Sequence, residues 1–363
     1  MADSDSAPLV DLRESRWEPH KQTFVTGSVE TPAGSVPIVS HEITSGDRLG
    51  TFSVRLGIGR DSYTVVPGLY SFGSPDEHSP LVATCNYKLT FDLLRREWKG
   101  LDLWVLALDT KGINVWCAAG KGTFGTQELL SRMGKAGVDR IVAHREVVLP
   151  QLGASGVNAH EVRKGSGFRV FYGPVRADDL KTYLDAGKKA TPAMRRVTFT
   201  TVERLILIPV ELSLLFKYSL WILPAGFALS GISKEIWSPE AAWARGWLFA
   251  ASVGAGAFAG AFLTPLLLPW LPGKSFSVRG IFAGLATTVG AALLLSGSMV
   301  ILERTGFVLM GTAVASFAAM NFTGATPITS PTGVEKEMRR FLPVQLMAAA
   351  AGLIAWIGGG FFR

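Results

Sequence analysis

The stretch KGINVWCAAGKGTFGT at 111–126 holds the residues of this 363-residue chain best equipped for chemistry. It directly follows LDLWVLAL at 101–108, a continuous apolar run that reads as a buried strand, so it stands where open α/β sheets bind ligands, at a strand's carboxyl end. If 114–121 is helical, Asn114, Cys117 and Lys121 share one face while Trp116 and Gly120 point elsewhere. A thiol, an amide and an ammonium then look at the same ligand. Gly120, Gly122 and Gly125 leave the backbone bare for a large flat molecule, and Lys121 places positive charge near the thiol, a metal-ligand environment. The same pattern also suits Cys117 as a small core hydrophobe beside Trp116 and Ala118.

Other chemistries fit less well. GKGT departs from the phosphate-binding GxxxxGK[ST] spacing because Lys121 is followed by Gly122, which disfavours nucleotide hydrolysis. No CxxC pair exists, and His20, His41, His78, His144 and His160 form no close-spaced set, so neither structural zinc nor an iron-sulfur cluster is expected. The two cysteines, Cys85 and Cys117, are too few for a disulfide framework. Lys and Arg, which give the net charge of +7, gather before the first apolar stretch and in short loops, a distribution that fits lipid headgroups and not nucleic acid.

The elements that must position this segment divide the chain in three. Residues 1–45, with Pro, Gly and Ser and weak periodicity, read as an N-terminal arm that packs on the domain or frays. Met1–Leu12 lacks a basic and an apolar region, so no cleavable secretory signal is expected. Residues 46–200 read as an open α/β sheet, Rossmann-like in class. Its segments are Thr51–Ile58, Ser62–Val66, Leu81–Thr84, a helix over Phe91–Trp98, the strand at 101–108, a further strand and helix unit at Arg140–Ala143, and the strand Phe168–Tyr172 before a helix at 177–186.

Residues 201–363 read as an all-α transmembrane bundle, with spans near 213–232, 246–271, 278–302, 306–325 and 341–362. One side collects Lys188, Lys189, Arg195, Arg196, Arg204, Lys274, Arg279, Lys336, Arg339 and Arg340; the other has Lys234, Arg245, Arg304 and Arg363. This asymmetry predicts a multi-pass protein of the cytoplasmic membrane with its soluble domain in the cytoplasm. Gly256/Gly260 and Gly280/Gly284 have the spacing that lets helices approach closely, although Gly and Ala are common in membrane helices anyway. Glu211 and Lys217 read as interfacial, flanking the first span, and the later spans show no central charge, which argues against an ion path.

The run NVWCAAGKGTFGT resembles the cap-helix signature of the mercury-methylating corrinoid proteins. So do VVPGLYSFGSPDEHSP (65–80), NYKLTFDLLR (86–95), HREVVLPQLGASGV (144–157), GFRVFYGPVRADDL (167–180) and NFTGATPITSPTGVEKEMRR (321–340). The soluble part is also similar to the corrinoid-binding domain of the corrinoid iron-sulfur protein. The resemblance implies a base-off cobalamin or related corrinoid with Cys117 as thiolate ligand to cobalt. It further implies methyl transfer from a methyltetrahydrofolate-linked donor to Hg(II), and a ferredoxin-like iron-sulfur reductant as partner. Asn114, Trp116, Cys117, Gly120, Lys121, Thr123 and Phe124 carry over as corrinoid-contacting positions. DEHSPL at 76–81 nearly spells DxHxxG but has Leu81 for the glycine, so His78 is not expected to ligate cobalt. Cys85 stands where that family is expected to have a small residue, as a core thiol or a second soft site for mercury. A methyl carrier of one-carbon metabolism without mercury activity is the alternative.

Overall fold

The computed structural model describes residues 22–326, 329 and 331–363. Contacts divide them into two units, 22–54 with 58–196, and 55–57 with 197–363. In chain order, the first unit contains β1 (Val25–Thr31), β2 (Gly34–Val39), α1 (Ser45–Arg55, running into the segment between units), β3 (Gly68–Phe72), β4 (Leu81–Cys85), α2 (Lys88–Glu97), β5 (Leu103–Leu108), α3 (Val115–Lys121), α4 (Thr126–Ala136), α5 (Val138–Ile141), β6 (Glu146–Leu149), α6 (Ala159–Ser166), β7 (Arg169–Tyr172) and α7 (Leu180–Asp185). Among the described residues these strands form one mixed seven-stranded sheet in the order β1-β2-β3-β5-β4-β6-β7.

β5, β4, β6 and β7 run parallel, β3 is antiparallel to β5, and the β1/β2 hairpin extends that edge. The parallel core explains the continuous apolar run. Trp104, Leu106 and Leu108 enter one core with α3 and α4, while Leu103, Val105 and Ala107 enter the other with α2 and α7. A strand buried on both faces needs apolar side chains at every position.

Four expected segments differ, among them Ser62–Val66, which is the end of a 3-10 turn followed by a loop with one isolated bridge at Thr64. The 25–39 part of the expected arm is a paired hairpin, whereas residues 1–21, including the stretch read for a signal, lie outside the described residues. Thr51–Ile58, read as alternating, lies largely in α1. The start signal is Thr44: its Oγ1 accepts the Asp47 N–H at 3.1 Å while Asp47 Oδ2 accepts the Thr44 N–H at 3.1 Å, a reciprocal cap that outweighs the period-two pattern. The unit expected at Arg140–Ala143 is mostly α5, and the strand begins at Glu146.

Asp47 also ties α1 to α2. Its carboxylate accepts from Lys88 Nζ at 2.6 Å and Arg95 Nη1 at 3.2 Å, and the same two cations bind Asp92. Burial by itself raises the Asp47 pKa, but the hydrogen bonds and charges of Lys88, Thr44 and Arg95 hold it down to about 2. A carboxyl depressed in the folded state adds stability that is present above its unfolded pKa of about 4 and lost as pH falls through about 2. Acidifying across that window should therefore cost about 2 kcal/mol from this group. Thermal unfolding of Asp47→Asn should show a lower midpoint at pH 7 and a shallower decline between pH 4 and 2 than the unsubstituted protein.

The second unit comprises α8 (Thr201–Ser230), the short pair β8 (Ile232–Ser233) and β9 (Ile236–Trp237), α9 (Pro239–Phe258), α10 (Thr264–Leu266), α11 (Phe276–Leu294), α12 (Ile301–Ala325) and α13 (Pro331–Gly359). A π-helical turn at Ala259–Leu263 joins α9 to α10, just before Pro265, which has no N–H to continue the α-helical ladder. Five helices among the described residues are long and apolar enough to cross a membrane: Thr201–Ser230, Pro239–Leu266, Phe276–Leu294, Ile301–Gly324 and Thr332–Gly359.

Both glycine pairs are used for packing. A Cβ on Gly256 or Gly260 would meet the Gly311 or Ala315 carbonyl oxygen at 2.2 and 2.3 Å, and one on Gly280 or Gly284 would meet Ala319 and Ala315 side chains at 2.6 Å each. Thus α12 receives α9 and α11 on close-approach surfaces.

The charges are placed differently from expectation. Glu211 and Lys217 lie inside α8, the first buried and the second exposed, and Arg245, expected in a connection, lies inside α9 and is fully buried. Arg245 Nε donates to Glu303 Oε1 at 2.7 Å, and its Nη1 donates to the Ser230 and Ile232 carbonyls at 2.7 and 2.8 Å. Nη2 donates to the Trp356 carbonyl. Helical hydropathy alone misses such a group because partners from other helices satisfy it.

Candidate functional site

The loop leaving β5 reverses at Lys111 and Gly112, with φ of 57° and 70°. Asn86, just after β4, holds it. Its buried Oδ1 accepts from Thr110 N–H at 3.0 Å, Thr110 Oγ1 at 2.9 Å and Gly112 N–H at 3.2 Å. Glu128 Oε1 braces the strand end by accepting the Asp109 N–H at 2.8 Å and Arg132 Nε at 3.0 Å. The chain thereby enters α3 at the carboxyl edge of β4 and β5. Beside it is β6, on the far side of β4, and the crossovers from β4 to β5 and from β5 to β6 go opposite ways, so α3 sits at a topological switch point.

Asn114 is the N-cap of α3, its Oδ1 accepting the Cys117 N–H at 2.9 Å. The helix buries Val115, Ala118 and Ala119 and ends at Gly122 in the left-handed conformation, φ 80°. Trp116 and Cys117 are half-buried, and Gly120 and Lys121 are exposed. The outward ridge is therefore Trp116, Cys117, Gly120 and Lys121, which corrects the expected partition: Trp116 and Gly120 join the thiol's side, while the amide oxygen of Asn114 is spent on the cap. Cys117 is absent from the core cluster against which α3 packs. A Cβ on Gly120 or Gly122 would meet no atom within 4 Å, so the space beside the thiol is open.

Thr123 and Phe124 support the ridge from behind. Their N–H groups donate to the Ala118 carbonyl at 3.0 and 3.1 Å, and Thr123 Oγ1 reaches the same oxygen at 3.4 Å. The Phe124 ring, expected to touch a ligand, is instead fully buried, 2.5 Å from where a Cβ on Gly153 would lie.

The loop after β6 closes against α3 from the other side. A Cβ on Gly156 would lie 2.1 Å from the Phe124 carbonyl oxygen and 2.9 Å from Ala119 Cα, and one on Gly125 would lie 2.7 Å from the Gly122 oxygen. Backbone atoms cannot swing aside as side chains do, so Gly156→Ala should push the loop off α3. The expected cost is about 1–3 kcal/mol. A lower thermal midpoint and faster reaction of Cys117 with an aromatic disulfide reagent would register it.

Sequence reasoning missed Asn86 and Gly156. Asn86 carries a usable signal, a polar residue at the end of an apolar strand; Gly156 has none, since its constraint comes from the distant backbone of Ala119 and Phe124.

The other candidates fall elsewhere. Cys85 ends β4 fully buried in the core, and burial pushes its thiol pKa up. His78 lies exposed in the turn before β4, at the amino edge of the parallel strands, opposite the edge that carries α3. His144 is tied to the Ser79 carbonyl through Nε2 at 2.9 Å and accepts the Glu146 N–H at Nδ1, and His160 is exposed at the start of α6.

Part of the chain, including this segment, is similar to known proteins. Residues 48–183 match the family model of the CO dehydrogenase/acetyl-CoA synthase delta subunit. Among curated relatives, the acetyl-CoA decarbonylase/synthase complex subunit gamma of Methanopyrus kandleri is 29% identical over 128 residues, 35% of this chain and 27% of that protein. Subunit gamma 2 of Methanosarcina thermophila is 32% identical over 121 residues, 32% of this chain and 25% of its own. Subunit gamma of Archaeoglobus fulgidus is 27% identical over 180 residues, 48% and 37% of the two chains. The matched part thus spans 25 to 37% of these relatives' length. The delta-subunit match runs from α1 into α7 and so includes α3, the Asn86 turn and the Gly156 loop.

Proposed function

We propose that residues 46–200 form a corrinoid-binding domain that would carry a methyl group, with the Cys117 thiolate as the residue that would hold the metal. The observation that carries this reading is a half-exposed thiol beside a bare, unobstructed Gly120 at the carboxyl edge of the parallel strands. The donor set fits a base-off corrinoid: one soft ligand on a short rigid helix, an adjacent surface free of side chain, Trp116 for apolar contact with the ring and Lys121 for its amide oxygens. A bound corrinoid would supply a metal centre able to carry a methyl group between a methyltetrahydrofolate-linked donor and an electrophile.

The chain's own residues orient and hold. The α3 cap by Asn114, the Asn86-braced turn and the Thr123 and Phe124 bonds to Ala118 keep the thiol in place. Such support lowers the reorganisation needed for ligation. We further propose Hg(II) as the methyl acceptor. Hg(II) is an electrophile that would demand a carbanion-like methyl group, which a strongly donating Cys117 thiolate would favour, and a ferredoxin-like iron-sulfur protein would supply the electrons that each such transfer costs the cofactor. The similarity to acetyl-CoA decarbonylase/synthase gamma subunits favours a second reading, a methyl carrier of one-carbon metabolism that does not act on mercury. The basic residues at the helix ends of the second unit, Arg204, Lys274, Arg279, Lys336, Arg339 and Arg340, support a cytoplasmic-membrane location with residues 46–200 in the cytoplasm.

Gly120→Leu tests the binding surface. Leucine is a better helix former than glycine and meets open space, so the thermal midpoint should hold or rise. Titration with aquocobalamin, followed in the visible spectrum, should nevertheless lose at least about tenfold in affinity. Unchanged affinity would remove the ridge from the site. Incubation of the methylcobalamin-loaded protein with Hg(II) separates the two readings by whether methylmercury forms.

A further inference from the structure

Among the described residues of the first unit, the large apolar side chains left in solvent are Leu49, Phe52, Ile58 and Leu93. Three of the four belong to α1 and the turn behind it, at 66, 59 and 63% exposure. The helical period explains their direction. Asp47 and Val54 turn inward, and Leu49 and Phe52 fall about 200° and 140° around the helix from Asp47 at about 100° per residue. Arg48 stands exposed on the flank of this apolar face, and Arg60 and Asp61 are exposed beyond the turn. A concentrated apolar patch of this kind marks an interaction surface.

Depth and charge indicate what covers it. Gly57 belongs to the second unit, where a Cβ on it would lie 3.7 Å from Val210 Cγ2 and 3.8 Å from Ser213 Oγ of α8. With 30 residues, α8 is about 45 Å long at about 1.5 Å per residue, more than a hydrocarbon core of about 30 Å requires. About twenty residues counted back from Ser230, its carboxyl end, reach Glu211. In a bilayer spanned by α8, Val210 and Ser213 therefore stand at the headgroup border, and so does Gly57 between α1 and Ile58. Exposed arginines beside apolar side chains at that level suit anionic phospholipid.

We propose that α1 is an interfacial helix: Leu49, Phe52 and Ile58 enter the acyl boundary of an anionic leaflet while Arg48 and Arg60 meet its phosphates. This rests on the reading of the second unit as membrane-spanning. It also ties the bilayer to the site, because a Cβ on Gly112 would lie 2.8 Å from Thr64 Cγ2 and 3.1 Å from the Asp61 carbonyl oxygen. The segment that follows α1 thus braces the loop leading into α3.

The test places the full chain in nanodiscs of phosphatidylcholine, with or without phosphatidylglycerol, and introduces p-benzoylphenylalanine in place of Phe52, Leu93 or Trp221. Leu93 is exposed on α2 and Trp221 is 82% exposed within α8, so they serve as the soluble and the spanning control. After irradiation, lipid adducts should form at 52 and 221 and not at 93. The yield at 52 relative to 221 should fall at least about fivefold without phosphatidylglycerol, and likewise in Arg48→Glu with Arg60→Glu, the factor that one basic contact with an anionic surface confers. No adduct at 221 would reject the spans themselves. Lipid at 221 with none at 52, or cross-links from 52 to a second chain or to residues 1–21, would overturn the docking of α1 while leaving the spans intact. Equal yields at 52 in the two bilayers would overturn the assignment to anionic lipid.

Discussion

A Cys117→Ala protein should fold as the parent does and lose the methyl transfer proposed for it. The side chain is half-exposed and outside the core cluster, so its loss should move the thermal midpoint by no more than about 0.5 kcal/mol equivalent. Groups that merely support a metal ligand are worth about 10–100-fold, so if Cys117 is the ligand as proposed, its removal should lower the proposed methyl transfer to Hg(II) by at least about a hundredfold. The visible bands of the cobalt(III) form should move toward those of a water-ligated corrinoid. Full activity in this variant would reject the ligand assignment. Cys85→Ala supplies the converse. That thiol is buried in the core beneath α3, so its truncation should cost about 1 kcal/mol of stability and leave the spectrum unchanged.

Arg245→Leu should be among the most damaging single substitutions in the second unit. The guanidinium joins the end of α8, α9, α12 and the end of α13 through Ser230, Glu303 and Trp356. Removing it leaves Glu303, itself fully buried, with Arg363 Nε at 3.6 Å as its remaining cation. Breaking one side of a buried ion pair costs about 3–5 kcal/mol, because an uncompensated charge remains in low dielectric. Unfolding of the detergent-solubilised protein by sodium dodecyl sulfate should show that loss in Arg245→Leu. The paired change Arg245→Met with Glu303→Leu should recover most of it, since no isolated charge is left behind. A double variant no more stable than the single one would mean that the lost carbonyl contacts of Arg245 outweigh the stranded Glu303 charge.

Residues 101–108, seven of them apolar and ending at Asp109, already indicated a strand buried on both faces with a ligand edge beyond it. The run at 111–126 showed equally early where chemistry was to be sought, because its thiol, ammonium and bare glycines follow the carboxyl end of that strand. Five apolar stretches were also readable, since about twenty apolar residues per crossing is a requirement of bilayer thickness. These features are local, each set by neighbours within a turn or a strand.

Tertiary structure decided what depends on distant partners. Which side of α3 faces outward followed from the core that Val115, Ala118 and Ala119 enter, and not from angular spacing around Cys117. Phe124 became an anchor because Gly153 leaves room for its ring, and Gly156 became indispensable because two backbone segments meet there. The burial of Arg245 was invisible for the same reason, its partners lying 13 to 111 positions away. A sequence displays what each residue can do; its obligations in the fold depend on neighbours that only chain closure supplies.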